Sequence, residues 1–170
     1  GERPRPAGER PRQKASATHH RKTFDNFIVG TSNRLGFNAA KQVADAKASA
    51  ANPLFIHGGV GLGKTHLLLA ISHALRGRGR RVLYYQGEDF TRKMVDALRL
   101  ERMDAFRREF RLADALLIDD VQFLAGKVRT QQELYHAFNL IHAAGKPIVL
   151  AADRGPRDLE KLEKGLASRF

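Results

Sequence analysis

The sequence predicts an α/β fold in which a parallel sheet is covered by helices on both faces. Two observations predict it: four short apolar runs recur along the chain, and helical patterns separate them. The 170 residues suffice for one domain with one hydrophobic core. An apolar fraction of 42% with 28% charged residues is typical of a globular chain. We therefore expect one α/β domain.

The elements follow in chain order from their hydrophobic spacing. Apolar residues repeat with a helical period over residues 33–50, and Asn52-Pro53 is expected to end that helix. The apolar runs, each too short for a buried helix, are predicted strands: Leu54–His57, residues 81–85, Ala115–Asp119 and residues 147–151. The helical patterns between them cover residues 65–76, 88–100, 101–112 and 130–144.

Residues typical of helix ends support the last of these helices. Thr130 and Glu133 have the spacing of a capping box at its start. Gly145 occupies the position that follows a helix end, and Pro147 prevents the helix from continuing. The pattern predicts a helix that leads into the fourth strand.

Residues 1–22 are predicted to form a disordered basic tail, with the folded core at residues 23–170. The tail carries seven Lys/Arg, two Glu, three of the six prolines and two copies of GERPR. The whole chain has 30 Lys+Arg against 18 Asp+Glu, a net charge of +12. Such a balance attracts polyanions: nucleic acid, nucleotides or an anionic membrane surface.

Composition also excludes some classes of site. The chain has no cysteine, which excludes disulfides, thiolate zinc sites and cysteine nucleophiles. No apolar run has the length of a membrane span, and the basic N-terminus lacks the apolar run of a signal peptide. We expect a cytoplasmic protein.

A phosphate-binding loop joins the first predicted strand to the following helix. Residues 58–65 satisfy G-x-x-x-x-G-K-[ST] in the strand–loop–helix context that this motif requires. Backbone N–H groups of the loop face a triphosphate, Lys64 reaches the β and γ phosphates, and the Thr65 hydroxyl ligates Mg²⁺. The predicted nucleotide-contacting residues here are Gly59, Gly61, Leu62, Gly63, Lys64, Thr65 and His66.

An acidic pair at the end of the third predicted strand complements this loop. Asp119 ends the buried run Leu116-Leu117-Ile118 and is predicted to be a Mg²⁺ partner, directly or through water. Asp120 is predicted to polarise the attacking water. Lys64, Asp119 and Asp120 are thus candidate catalytic residues.

Several stretches together resemble a known family. They are residues 23–30 with Asn33, residues 52–55, GGVGLGKTH, ALLIDDVQF, Ala152-Asp153-Arg154 and Ser168-Arg169-Phe170. From residue 23 to 170 the chain resembles the AAA+ nucleotide-binding domain of the DnaA family of bacterial replication initiators. The resemblance implies a P-loop NTPase fold of AAA+ type with ATP or ADP and Mg²⁺ as cofactors.

The resemblance also implies roles for residues outside the loop. Val29 and Asn33 would line the adenine and ribose pocket. Asp153 would lie close to the γ phosphate as the sensor 1 residue, and Arg169 matches the arginine finger that reaches the ATP of a neighbouring subunit. The family's second arginine near the finger corresponds to Gly165, which leaves that part of the subunit contact in doubt.

The basic helical pair at residues 88–112 matches the insertion typical of initiators and helicase loaders. In the family it lines the axial channel of a filament and follows single-stranded DNA. The corresponding predicted nucleic-acid contacts are Arg92, Lys93, Val95 and Arg129. Apolar stripes and basic faces at this spacing also occur as plain core packing and solvated surface.

The resemblance favours an ATP-binding module of a replication initiator that assembles on origin DNA and engages its single strands. Further partners that it implies are other copies of the chain through Arg169, the replicative helicase and acidic phospholipids. Because the similarity stops before the fifth strand, lid and helix-turn-helix domain, the core is expected to be incomplete. Weak or absent hydrolysis is expected for this chain, against slow Mg²⁺-dependent ATPase activity in the full-length family.

Three alternatives remain open from the sequence. A helicase loader shares the phosphate loop and the basic insertion, although ALLIDDVQF and residues 23–33 favour an initiator. A P-loop kinase would need an acceptor pocket and a lid, and acceptor-dependent ADP production would reveal it. A plain nucleic-acid-binding module would not bind ATP.

Overall fold

A computed structural model, which describes residues 22–47 and 50–170, forms a four-stranded sheet. Its strands are β1 (Leu54–His57), β2 (Val82–Gln86), β3 (Ala115–Asp119) and β4 (Ile148–Ala152). They lie in the order β1-β4-β3-β2, and every pairing is parallel. The predicted parallel sheet is confirmed, with β2 and β4 each displaced by one residue from its predicted bounds.

Helices connect the strands as the sequence predicts. They are α1 (Arg34–Ala44), α2 (Lys64–Gly77), α3 (Gly87–Arg99), α4 (Met103–Leu112), α5 (Val128–Ala143) and the short α6 (Lys164–Ala167). Single 3-10 turns, Val121–Leu124 and Pro156–Asp158, follow β3 and β4. The predicted tail lies outside the described residues apart from Lys22. In the described ranges no helix is long and apolar enough to cross a membrane.

The two faces of the sheet bury different helices. On β3, Ala115 and Leu117 belong to the cluster that packs against α1 and α2, whereas Leu116 and Ile118 pack against α3, α4 and α5. All five residues of β3 and of β4 are buried. Burying one Leu or Ile side chain contributes about 1.5–3 kcal/mol, so uninterrupted apolar runs are needed where both faces are covered.

Two helix boundaries correct the sequence predictions. Helix α1 ends at Ala44 rather than near residue 50, because Asp45 caps it and Ala46 turns to a φ of 53°. The capping box is wrong: α5 begins at Val128, so Thr130 lies inside its first turn and is buried. Glu133 instead accepts hydrogen bonds from Arg107 of α4. Gly145 follows the helix with a φ of 69°, as predicted.

The topology brings the carboxyl ends of β1, β4 and β3 to one edge of the sheet. Parallel neighbours end on the same side, and ligands of open α/β sheets bind beyond those ends. The β3–β4 ladder stops at the pair Ile118 and Leu150, so beyond this point the two strands are no longer paired with each other. This edge carries the phosphate loop and the acidic pair.

Candidate nucleotide-binding site

The loop between β1 and α2 has a backbone that requires glycine. Gly61 and Gly63 have φ angles of 83°, in the left-handed region that side chains disfavour. A Cβ on Gly63 would lie 2.6 Å from Cε2 of Phe27. By contrast, a Cβ on Gly59 or Gly61 would meet open space. The loop is therefore packed on one side by Phe27 and open on the other.

Lys64 directs its charge back over this loop. Its Nζ donates hydrogen bonds to the carbonyl oxygens of Gly58 and Gly59, both at 2.8 Å. Lys64 is also the first residue of the 14-residue helix α2. The helix N-terminus adds unpaired N–H groups and a partial positive charge, which favour an anion at this point.

Thr65 and Asp119 meet directly beneath the loop. Thr65 Oγ1 donates to Asp119 Oδ2 at 2.5 Å, and the backbone N–H of Asp120 donates to Asp119 Oδ1 at 2.9 Å. Asp119 is fully buried, and burial raises its pKa, although the hydrogen bond from Thr65 opposes this shift. The predicted pair of oxygen ligands is thus brought together from α2 and β3.

Sequence reasoning missed Tyr84, the third partner of Asp119. The Tyr84 hydroxyl, on β2, donates to Asp119 Oδ2 at 3.3 Å. Burial and the Asp119 carboxylate raise the pKa of Tyr84, so its hydroxyl remains a donor. The alternation of β2 could have shown that Tyr84 and Tyr85 face opposite sides, but not that one of them reaches Asp119.

Asp120 begins the turn that follows β3. Its φ of 53° and ψ of 51° are left-handed, and its Oδ1 accepts a hydrogen bond from Gln122 Nε2 at 3.2 Å. Gln122 Oε1 in turn accepts from the backbone N–H of Asp153 at 3.2 Å. Gln122 belongs to the ALLIDDVQF motif, but its spacing in that motif does not indicate this contact. The structure thus brings Asp120 and Asp153 together through a residue that the sequence analysis overlooked.

Asp153 follows β4 and is paired with the next residue. Arg154 donates from Nε to Oδ1 at 2.9 Å and from Nη2 to Oδ2 at 3.0 Å. The Arg154 guanidinium lowers the pKa of Asp153, and the charge of Lys64 contributes in the same direction. Asp153 is therefore an ionised carboxylate within the field of Lys64.

The segment before α1 packs onto the start of α2 through His66. His66 Nε2 lies 2.7 Å from the Thr23 carbonyl oxygen and 3.0 Å from Asn26 Oδ1. Both partners accept, so Nε2 carries the proton. Asn33 accepts from the Gly30 N–H at 2.7 Å and donates to the Ile28 carbonyl at 3.0 Å, which folds this segment into a compact turn.

A groove of about 280 Å³ adjoins the loop beside β1. Asn33, Leu62 and Lys64 contribute to its wall, but Val29 does not. Val29 is 40% exposed on the same segment. The structure therefore places Asn33 next to the loop and leaves Val29 in a peripheral position, and their contacts with a base remain predictions.

The predicted arginine finger lies away from this chain's own loop. The Arg169 guanidinium stacks 5.8 Å from the ring centre of Tyr135 on α5, and its hydrogen bond lowers the pKa of that tyrosine. A Cβ on Gly165 would lie 3.7 Å from Tyr135 Cε2, so this glycine is close to the same ring. Arg169 is exposed, as a group that reaches another subunit must be.

The four predicted DNA contacts are exposed, three of them on α3 and the fourth at the start of α5. Arg92 pairs with Asp89, and Lys93 donates to Glu109 Oε2 of α4 at 2.6 Å. The hydrogen bonds to Glu109 and Tyr85 raise the pKa of Lys93 although burial opposes this. Val95 is 40% exposed, and Arg129 is exposed at the start of α5. Part of the predicted positive charge is thus balanced within the insertion.

The first residue of α3 lies close to the turn that follows β3. A Cβ on Gly87 would lie 2.7 Å from the carbonyl oxygen of Asp120 and 3.5 Å from Cβ of Phe123. Helix α3 can therefore approach the turn this closely because residue 87 has no side chain. No sequence pattern distinguished this glycine.

The site residues fit a magnesium nucleotide. The exposed, glycine-lined face of the loop provides space for phosphates, and Lys64 and the α2 N-terminus supply positive charge. The Thr65 hydroxyl and the Asp119 carboxylate are hard oxygen donors 2.5 Å apart, of the kind that Mg²⁺ prefers.

Comparison with known families decides the relationship. A family profile described as the bacterial DnaA ATPase domain matches residues 18–170. The chain belongs to the bacterial DnaA family. The resemblance seen in the sequence is thereby confirmed, and so is the predicted AAA+ P-loop fold.

Individual DnaA proteins give the same result. The chromosomal replication initiator protein DnaA of Thermus thermophilus is 48% identical over 164 residues, and that of Herpetosiphon aurantiacus is 50% identical over 159 residues. The matches cover 95% and 92% of this chain but 37% and 34% of those relatives. The chain thus spans about a third of the curated DnaA proteins it matches.

Solved structures separate DnaA from the helicase loaders. A structure of replication initiator DnaA bound to AMPPCP and single-stranded DNA has a TM-score of 0.85 and 45% identity, covering 88% of this chain and 47% of that chain. The DnaC helicase loader has a TM-score of 0.75 at 16% identity, covering 91% of this chain and 94% of its own. The loader shares the fold alone, whereas DnaA shares fold and sequence.

Proposed function

We propose that this chain is the ATP-binding module of a bacterial replication initiator, which assembles in its ATP state on origin DNA and engages single-stranded DNA. The observation that carries the proposal is the 2.5 Å contact between Thr65 and Asp119 beneath a glycine loop that also presents Lys64. Membership of the DnaA family supports the initiator role. We also propose a cytoplasmic, nucleoid-associated location, as expected for this role.

ATP or ADP with Mg²⁺ is the proposed cofactor. Lys64 and the N–H groups of the loop would bind the phosphates, and Thr65 and Asp119 would hold the metal. A bound Mg²⁺ supplies neutralisation of phosphate charge. Tyr84 orients the Asp119 carboxylate through its hydrogen bond of 3.3 Å. A DnaA relative solved with the ATP analogue AMPPCP supports this assignment.

Hydrolysis is proposed to be slow and to act as a timer for the ATP state. Asp120 polarises water, and Asp153 faces the terminal phosphate. Gln122 donates to the Asp120 carboxylate and accepts from the backbone N–H of Asp153, and Arg154 donates to the Asp153 carboxylate. We propose weak hydrolysis for this chain by itself, because Arg169 does not reach its own loop.

Single-stranded DNA is proposed to bind along α3 and the start of α5. Arg92, Lys93 and Arg129 offer positive charge to the backbone, and the exposed Val95 offers an apolar contact. The DnaA relative solved with single-stranded DNA supports this partner class. The ion pairs of Arg92 and Lys93 indicate modest affinity, since a phosphate must compete with Asp89 and Glu109.

Assembly is proposed to proceed through Arg169 of one copy and the nucleotide of the next. The stacking of Arg169 on Tyr135 supports this by holding an exposed guanidinium at the surface. A planar cation presented this way suits a phosphate. The replicative helicase and acidic phospholipids are further proposed partners, supported by family membership alone.

Replacing Lys64 by Ala tests the nucleotide site. We expect fluorescent ATP to bind the wild-type chain and to lose at least about 100-fold in affinity with Lys64→Ala, because the cation that faces the β and γ phosphates is removed. Lys47→Ala, at an exposed lysine that follows the end of α1, is the matched control and should bind as wild type does. Equal affinities for all three proteins would refute the site.

A further inference from the structure

Gln122 joins two strands beyond the point where their ladder ends. The last β3–β4 pair is Ile118 with Leu150, and the chain then continues to Asp120 and Asp153 without backbone pairing between these strands. The Gln122 side chain spans this gap, with Nε2 on Asp120 Oδ1 and Oε1 on the Asp153 N–H, both at 3.2 Å.

The two partners fix the orientation of the amide. A carboxylate accepts hydrogen bonds and a backbone N–H donates them, so the NH₂ group must face Asp120 and the oxygen must face Asp153. Turning the amide by half a rotation would break both contacts. Gln122 therefore sets the distance between the Asp120 carboxylate and the Asp153 backbone as well as their directions.

Apart from Gln122, the side chains of Asp120 and Asp153 have no described contact with each other's strand. Asp120 has a left-handed backbone and no side-chain capping bond to its own turn. The Asp153 carboxylate is tied to Arg154, which is itself 53% exposed. The side-chain amide of Gln122 is thus the described contact that relates these two groups to each other.

We propose that Gln122 is a positioning residue that holds Asp120 and Asp153 in the arrangement that distinguishes ATP from ADP. The inference rests on the proposed function, in which Asp153 faces the terminal phosphate. ADP lacks that phosphate and does not depend on the bridge. Loss of Gln122 should therefore weaken ATP binding selectively, whereas a residue that merely closes the fold would affect both nucleotides alike.

The first test measures the bridge without nucleotide. Amide hydrogen exchange at Asp153 should be slow in the wild-type chain and fast in both Gln122→Ala and Gln122→Glu. The glutamate cannot donate to Asp120, and its negative charge is repelled by the Asp120 carboxylate. Fast exchange in the wild type, or unchanged protection in Gln122→Ala, would overturn the proposal.

The second test is a titration with fluorescent ATP and ADP. We expect Gln122→Ala and Gln122→Glu to lose about 5- to 10-fold in ATP affinity, as for one or two lost hydrogen bonds, with ADP affinity changed less than about 2-fold. Gln132→Ala, at an exposed glutamine of α5, is the matched control. Because Gln122→Glu keeps the side-chain size, it serves if the alanine variant does not fold.

The outcomes separate this inference from the proposed function. If the wild-type chain binds no nucleotide, or binds ATP no more tightly than Lys64→Ala does, both the proposed function and the role of Gln122 are overturned. A wild-type chain that binds ATP through Lys64, with an ATP-to-ADP affinity ratio that Gln122→Ala and Gln122→Glu leave unchanged, would overturn the role of Gln122 alone. Equal losses for both nucleotides would assign Gln122 a structural role and likewise overturn the proposal.

Discussion

Asp119 receives hydrogen bonds from three different elements. Thr65 reaches it from α2, Tyr84 from β2, and the Asp120 N–H from the following turn. A fully buried carboxylate is costly unless it is paired in this way. These contacts hold both oxygens, so the direction in which the carboxylate faces the loop is set before any ligand arrives.

Replacing Asp119 by Asn should therefore separate metal-dependent from metal-free binding. The amide keeps the size of the side chain but removes its charge and one acceptor. We expect nucleotide affinity in Mg²⁺ to fall about 10-fold or more, and affinity in EDTA to change less than about 2-fold. Titrations with and without Mg²⁺ measure this, with Asp96→Asn on the exposed face of α3 as control. Unchanged magnesium dependence would remove Asp119 from the metal role.

The sequence was informative about residues whose chemistry follows from local spacing. The phosphate loop and the acidic pair each lie within one short motif, and the structure places Lys64, Thr65 and Asp119 together. Tyr84 was missed because its contact with Asp119 spans 35 positions and depends on strand order. Gln122 was missed for a similar reason, because it accepts a hydrogen bond from Asp153, which is 31 positions away in the chain.

Helices α4 and α5 are joined by an ion pair as well as by aromatic packing. Arg107 donates from Nη2 to Glu133 Oε1 at 2.6 Å and from Nε to Oε2 at 3.2 Å. The Arg107 guanidinium holds the pKa of Glu133 below its usual range. Phe106 and Phe110 of α4 pack beneath this pair in the core.

The sign of the Glu133 shift determines its pH dependence. A carboxylate whose pKa is lowered by folding stabilises the fold above its unfolded pKa of about 4.3, and this stability is lost as pH falls through the folded pKa. Arg107 is half exposed, so the pair contributes only about 0.5–1 kcal/mol.

We therefore expect Glu133→Gln to lower Tm by about 1–4 °C at pH 7, with the difference from wild type shrinking below pH 4. Thermal melts across pH 3–7 measure it, with Glu160→Gln at an exposed site as control. A difference that stays constant from pH 7 to pH 3 would contradict an ionic origin.

Element types followed from the sequence better than element ends. The α/β alternation is set by burial on two faces of the sheet, which leaves a strong imprint in apolar spacing. The predicted start of α5 was wrong because Thr130 is buried in the core and Glu133 accepts hydrogen bonds from Arg107 instead of capping the helix. Such competition between a local cap and a tertiary contact cannot be read from one segment.

Charge is distributed unevenly over the molecule as a whole. The insertion and the start of α5 expose the cations Arg92, Lys93 and Arg129. The phosphate loop is a separate region, at the carboxyl edge of the sheet. The sequence predicted the basic insertion, but not that Glu109 and Asp89 partly neutralise it. Those pairs depend on how α3 lies against α4 and on the turn of α3 itself.

Reversing Arg92, Lys93 and Arg129 to Glu should weaken single-stranded DNA binding and flatten its salt dependence. Binding releases counterions, and losing three phosphate contacts should reduce the slope of log K against log salt by about 2. Fluorescence anisotropy at several salt concentrations with ATP measures this. Reversal of Arg34, Lys47 and Arg80, away from the insertion, changes net charge equally and is the control.

The result can also contradict the assignment of this surface. If binding survives the triple reversal but disappears when residues 1–22 are deleted, the basic N-terminal segment is the contact. The same slope for the reversed and the control protein would mean that total charge, rather than the α3 surface, determines the affinity.

The close approach of Gly87 to Asp120 gives α3 the mechanics of a lever. The fulcrum is the bare Cα of Gly87 against the Asp120 carbonyl, and the arm is the rest of a 13-residue helix. At 1.5 Å per residue the arm is about 20 Å long, so a tilt of about 10° at the fulcrum displaces its far end by about 3 Å. Arg92 and Lys93 lie part-way along this arm and would move by a smaller amount. A shift of the turn after β3 would thus be passed along α3 to the surface where the DNA backbone is expected to run.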